Sequence, residues 1–473
     1  MKKIWIALSL TWWLGSAQAK VILPYVFSNG MVLQQQSNAA IWGKATPGVA
    51  VNVVTSWNKK VYKVKANADS TWKVKVETPQ AGGPYQIDIN DGDLVSIKEV
   101  LIGEVWFISG QSNMEMALRG MGESQPILGG PEAIANANNN QIRFFRSQHK
   151  VWGAPTDNLR GRWQAASPAS APLFSALGYF FALKLQKQLN IPVGILQVAY
   201  GGTPIEAWMS RESLAPFSAE VKIPQEKNQV IANKGTPTSL FNGMINPMIG
   251  FTVKGMLWYQ GEHNRRFPAL YAKLFPAMVA DWRKRWDNGE FPFYYVQIAP
   301  YGSPESYVPY IPFLRESQLN SLAVIPNSGM VVNVDLGVAH FNHPPFKEKL
   351  ADRMLAMVLH KSYGFKDLPY QGPVYKALSV QGNIAILSFN HAEKGLKFSE
   401  QNMANFEVAG ADKKFYPAST LSIKGSSIEV SATEVSKPVA VRYAFKGWVV
   451  GNLYNAEGFP ASSFRTDNWE IPK

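Results

Sequence analysis

Five short apolar runs, at 105–108, 193–198, 255–259, 293–298 and 330–334, do not alternate with polar residues, so they cannot be strands with one wet face. They read as strands covered on both sides. Longer stretches of helical period lie between them, at 174–189, 270–286 and 346–360, the second carrying Pro276 as an expected kink. Strands that alternate with helices build a parallel sheet wrapped on both faces, so residues 102–365 are expected to form one α/β domain.

The flanks have a different texture. Over 20–101 the period is two, as in Val51-Asn52-Val53 and Trp72-Lys73-Val74-Lys75-Val76, with turn residues such as Thr46-Pro47-Gly48 between the runs. This predicts a small antiparallel, β-sandwich-like domain. Period two returns over 366–473, in Ile384-Ala385-Ile386 and Val439-Ala440-Val441, and predicts a second β-rich domain. Residues 1–19 read as an export signal: Lys2 and Lys3, an apolar run at 4–14, and the small-residue pattern Ala17-Gln18-Ala19. The run falls short of the roughly 20 residues that a bilayer requires, so a periplasmic or secreted chain without a membrane anchor is expected.

Composition narrows the chemistry. With no cysteine the chain has neither disulfides nor thiolates, and its formal net charge of +13 is spread along the sequence. Scattered lysines and arginines describe a solvated surface. No clustered basic motif points to nucleic acid.

In a parallel α/β sheet, ligands bind beyond the carboxyl ends of the strands. The first of the five runs is followed by Gly110-Gln111-Ser112-Asn113-Met114, where a serine on a tight turn can be a nucleophile or merely cap the next helix. A hydroxyl needs a base, and the chain has six histidines. His149 lies in a loop, His360 at a helix end and His391 in the closing β region, which leaves His263, His340 and His343 at strand ends. Pro344-Pro345 fixes the loop behind His343 and favours it as the base, with His340 as the alternative. Asp335, eight residues earlier at the last strand end, is the natural acid, and Glu262 is its rival. The backbone N–H of Ser112, one at Gly201-Gly202 and the side-chain amide of Gln260 could form an oxyanion site. Zinc held by His340, His343, Asp335, Glu262 and His263 is a competing chemistry. Its HxxH spacing matches no strong signature, so neither metal nor cofactor is expected.

Taken together, these segments resemble the SGNH-type carbohydrate esterases, specifically the sialate O-acetylesterase family. The likeness runs in order through Met31-Val32-Leu33-Gln34, Ile41-Trp42-Gly43, Gly103-Glu104-Val105-Trp106 and Gly110-Gln111-Ser112-Asn113-Met114-Glu115. It continues through Gly201-Gly202-Thr203-Pro204-Ile205-Glu206-Ala207-Trp208, Trp258-Tyr259-Gln260-Gly261-Glu262, Val334-Asp335-Leu336-Gly337, His343-Pro344 with Lys347, and Asn452-Leu453-Tyr454-Asn455. The resemblance implies a flavodoxin-like sheet between β-rich domains and hydrolysis of acetyl esters on sugars. It makes Ser112 the nucleophile, His343 the base and Asp335 the acid; the reading of the residues adds Gly202 and Gln260 at the oxyanion. Two departures stand out: His263 replaces what is often a small residue, and the loop between Asp335 and His343 is short. Three residues before His343, where many SGNH relatives carry the acid, this chain has His340.

If the sugar is an O-acetylated sialic acid, its carboxylate calls for a cation, and Arg119, Arg265 and Arg266 follow the relevant strands, with Glu262 as a further substrate contact. Acetylated xylan is an alternative substrate. A non-catalytic carbohydrate-binding protein on an esterase fold is the alternative of another class.

Overall fold

The structure, a computed structural model, describes residues 21–302, 309–400 and 403–470, and the export signal expected over 1–19 lies outside them. At its centre, seven strands run in the order Ser328–Val331, Phe293–Val296, Gly255–Tyr259, Leu94–Gly110, Val193–Ala199, Asn139–Ser147 and Gly161–Ala166. All neighbours are parallel except the last pair.

Both faces of this sheet are covered, which is why its strands do not alternate in sequence. Trp106 and Ile108 face one core with helices Ala176–Leu189 and Lys347–Ser362, whereas Val105 and Phe107 face the other with helices Pro268–Trp286 and Tyr310–Asn320. Helix Pro268–Trp286 runs on through Pro276 as one element. Helix Ala176–Leu189 starts at Ser175, whose Oγ accepts from the Gly178 N–H at 3.1 Å. Strands Asn139–Ser147 and Gly161–Ala166 and helix Tyr310–Asn320 are additions to the sequence expectation.

The N-terminal β domain is joined through one strand. Leu94–Gly110 is 17 residues long. Its first half pairs antiparallel with Gly82–Asn90, its middle pairs parallel with Val32–Gln34, and Glu104 to Gly110 lie within the central sheet. A boundary at 101/102 therefore falls inside a continuous strand. On the other side, two four-stranded sheets and one two-stranded pair between Val374 and Arg465 enclose a third core that includes Leu387, Phe406, Tyr443 and Phe464. Arg315 fastens helix Tyr310–Asn320 to this region: fully buried, it donates to Ser463 Oγ at 3.0 Å, Ala444 O at 3.1 Å and Lys446 O at 2.6 Å. Among the described residues, no helix is long and apolar enough to cross a membrane.

Strand Leu94–Gly110 lies between the next two strands of the α/β pattern, so the chain winds away from it in both directions. At such a switch point ligands generally bind beyond the strand ends, which places the region to inspect at Gly110.

Candidate active site

Gly110 has φ +135°, and a Cβ there would sit 2.2 Å from Tyr259 O. Only glycine lets the chain turn so close to the neighbouring strand. Ser112 then opens the short helix Ser112–Glu115 with its backbone N–H directed at no acceptor among the described residues.

His343 meets it. Its Nε2 is 2.8 Å from Ser112 Oγ. If the hydroxyl donates, the ring proton sits on Nδ1, which is buried and has no hydrogen-bond partner among the described residues. Burial, followed by the charge of Lys347, holds the imidazole below its ordinary pKa.

The expected acid is elsewhere. Asp335 Oδ1 accepts from Arg353 Nη1 at 2.8 Å and Oδ2 from Arg353 Nη2 at 2.5 Å, and Oδ2 also accepts from Tyr454 Oη at 3.0 Å. The chain turns after Val331 so that this carboxylate faces helix Lys347–Ser362 and the C-terminal β region. The structure does not bring Asp335 to His343 as the sequence suggests: its oxygens are engaged in a bidentate ion pair.

Gln260 is also engaged elsewhere. Fully buried, its Nε2 donates to Thr203 O at 3.1 Å and Asn264 Oδ1 at 2.7 Å, so the amide braces two loops and has no N–H left for an oxyanion. The Gly201-Gly202 turn does lie against the serine, since a Cβ on Gly201 would come within 3.1 Å of Ser112 Cβ. The Gly201 N–H donates to Glu115 Oε2 at 2.6 Å. That of Gly202, at φ +69°, has no acceptor among the described residues.

Glu262 is buried beneath the site. Its Oε1 accepts from Asn113 Nδ2 at 2.5 Å, Oε2 has no partner among the described residues, and burial pushes its carboxyl pKa up. Arg265 is half-buried and donates from Nη1 to Glu262 O at 2.9 Å, whereas Arg119 and Arg266 are exposed. His340 is exposed at φ +60° and is tied to Gly302 O through its backbone N–H; it does not join Ser112. Among the described residues, no three His, Cys, Asp or Glu side chains gather where they could hold a metal ion.

Several neighbours escaped the sequence reading. Glu115 Oε1 lies 2.6 Å from His149 Nε2, and the His149 ring stacks on Tyr200 at 3.6 Å. Lys234 donates from Nζ to Gly201 O at 2.5 Å, 4.5 Å from the centre of the Tyr200 ring. Glu115 could have been singled out as an acid one turn after Ser112. His149 and Lys234 come from loops whose sequence carries no such signal.

A hydroxyl and an imidazole in hydrogen-bond contact at the ends of parallel strands, beside backbone N–H groups with no acceptor among the described residues, are an arrangement that can carry out acyl transfer. The model of the carbohydrate esterase family described as sialic acid-specific acetylesterase matches residues 102–359, more than half of the chain. The chain belongs to this family and is an esterase, a carboxylic ester hydrolase. It is 28% identical over 464 residues to the sialate O-acetylesterase of Homo sapiens, covering 89% of this chain and 87% of the relative. The Mus musculus sialate O-acetylesterase is 28% identical over 487 residues, with 89% and 88% covered. Among solved structures, a carbohydrate acetylesterase from Xanthomonas citri superposes with a TM-score of 0.86 at 36% identity, covering 95% of this chain and 100% of that one.

Proposed function

We propose that this protein is an exported serine esterase that removes O-acetyl groups from sugars, O-acetylated sialic acids first among them, without a metal. The observation that carries the reading is the 2.8 Å contact between Ser112 Oγ and His343 Nε2. The five strands expected from sequence follow the order 2-1-3-4-5, which supports a flavodoxin-like, SGNH-type sheet.

His343 Nε2 takes the hydroxyl proton as Ser112 Oγ bonds to the acetyl carbon. The carbonyl π-bond opens to an oxyanion, which the N–H groups of Ser112 and Gly202 receive. When the carbonyl re-forms, the bond to the sugar oxygen breaks, and that oxygen leaves with the proton from His343. Water then repeats the sequence on the acetyl-enzyme and releases acetate, restoring Ser112.

A sialic acid carboxylate would be met by Lys234 and Arg265, both half-buried and bonded to the Gly201 and Glu262 carbonyls, whereas Arg119 and Arg266 are exposed. An anion over half-buried cations is favoured, because these charges are less screened than fully exposed ones. Acetate release from O-acetylated sialic acids and from acetylated xylan, run beside Ser112→Ala, tests the proposal. Release from the sialic acids that disappears in Ser112→Ala supports it. Activity retained by Ser112→Ala ends it, and release from xylan alone replaces the substrate. A fluorophosphonate that fails to label Ser112 would instead favour a carbohydrate-binding protein.

A further inference from the structure

Among the described residues no acid meets His343 Nδ1, yet the loop that carries the ring is held from another direction. Asn113, the residue after the serine and only 1% exposed, donates from Nδ2 to the carbonyl of Asn342 at 2.8 Å and to Glu262 Oε1 at 2.5 Å. Its Oδ1 accepts from Lys347 Nζ at 2.5 Å. An ammonium can only donate and a carboxylate can only accept, so the two ions fix which way this amide faces. One side chain thereby links the serine turn, the Glu262 loop, the peptide immediately before His343 and the first residue of helix Lys347–Ser362.

Lys347 is an expensive choice for that position. It is fully buried, and it sits at the amino end of a 16-residue helix, where the macrodipole disfavours a cation. A leucine would fill the space without either cost.

We infer that Lys347 is a positioning residue of the esterase: through Asn113 it fixes the His343 loop against Ser112, and it places a buried cation four residues after the base. The inference rests on the reading of Ser112 and His343 as the reacting pair. Where an acid partner would favour the imidazolium, a cation opposes it. The site accepts a weaker base in return for one that stays available at lower pH.

The surrounding charges agree in direction. Burial brings Lys347 down to about 7, with Glu262 acting against the fall, so the ammonium is present over the range in which His343 would take up its proton. Lys347 also lies 5.3 Å from the centre of the Tyr259 ring, whose hydroxyl accepts from Asn333 Nδ2 at 2.7 Å. Glu262 has Asn113 and Arg265 about it, and Asp335 is engaged by Arg353. His343 itself faces the Ser112 hydroxyl and the edge of Phe341.

Two variants separate hold from charge. Lys347→Met should lower kcat about tenfold or more with KM little changed, and should move the acid limb of kcat/KM upward by about half a pH unit, because removing a neighbouring cation raises an imidazole pKa. Asn113→Leu should lower kcat similarly without an upward move of the limb. A folded Lys347→Met enzyme whose acid limb stays in place overturns the inference. If neither variant folds, histidine NMR on the wild-type protein and on Lys347→Gln, which keeps a donor for Asn113, decides: a His343 titration below about 6.5 that moves up in Lys347→Gln supports it, and one that stays in place, or that lies at or above about 6.5 in the wild type, overturns it. The NMR reading is independent of Ser112→Ala, whose retained activity would instead sink the functional proposal beneath it.

Discussion

Arg353 grips Asp335 with both terminal nitrogens, one to each carboxylate oxygen, and Tyr454 closes on the second oxygen from the C-terminal β region. This pairing turns the most natural acid in the sequence into a clamp between helix Lys347–Ser362 and the β domain that follows it.

Asp335→Asn should therefore act on stability before chemistry. Breaking a buried pair by removing one charge costs about 3–5 kcal/mol, because the partner is left uncompensated. In a Ser-His-Asp enzyme, loss of the acid costs about 10⁴ in kcat. We expect a marked drop in melting temperature, with kcat of the folded fraction within about tenfold of wild type. A folded variant slower by three or four orders of magnitude would return Asp335 to the reaction.

Ser112→Ala and His343→Ala should each remove nearly all esterase activity, and the double variant should be no worse than either single one. Groups that act as one unit are strongly non-additive, with single losses of about 10⁴ to 10⁶. Steady-state acetate release from the three proteins is the check. Losses that multiply would mean that the 2.8 Å contact is not the working unit.

Gly110→Ala tests the turn itself. The new methyl would meet Tyr259 O at 2.2 Å in a backbone region unfavourable to side chains, so either the strand end shifts or the sheet opens. A stability loss of about 3 kcal/mol or more is expected, together with loss of activity. An alanine variant with wild-type melting and rate would show that the strands have more freedom there than their spacing indicates.

Acid stability has its own reporter in Asp467. Burial would raise this carboxyl, but the hydrogen bonds and charge of Arg442, the Trp469 N–H and the charge of Arg465 outweigh it and hold the folded pKa below the ordinary value. A depressed folded pKa gives stability above the unfolded value of about 3.9, and that stability is lost as pH falls through the folded one. Asp467→Asn should thus melt below wild type at pH 7, the gap closing as pH drops below about 4. A gap independent of pH would assign the effect to packing.

What could be read from sequence follows a physical divide. The five strands of the α/β pattern stood out because both faces are buried and the runs are apolar throughout. Strand Asn139–Ser147 did not, since Arg143 and Arg146 interrupt it; in the structure Arg143 is buried, with Nε on Asn140 O and Nη1 on Glu99 O. Helix Tyr310–Asn320 was hidden by Pro312 and by Arg315, whose guanidinium serves the C-terminal region rather than solvent. At the site, the meeting of Ser112 and His343 could be inferred because each is pinned by local features, a glycine turn and a proline pair. Asp335 and Gln260 could not be placed, because their partners lie 18 residues or more away in sequence, on Arg353, Tyr454 and Thr203, or come from the turn of Asn264. Proximity along the chain suggested a triad, and the turn after Val331 carries Asp335 to Arg353 instead.

The uninterrupted run from Leu94 to Gly110 makes the amino-terminal module inseparable from the esterase as an engineering unit. A fragment beginning at residue 102 would inherit half a ribbon, with its Val32 and Ile97 pairings cut away and Leu101 missing from the edge. Grafting, trimming or swapping that module would be felt at the serine, because the same backbone anchored among its strands ends two residues before Ser112.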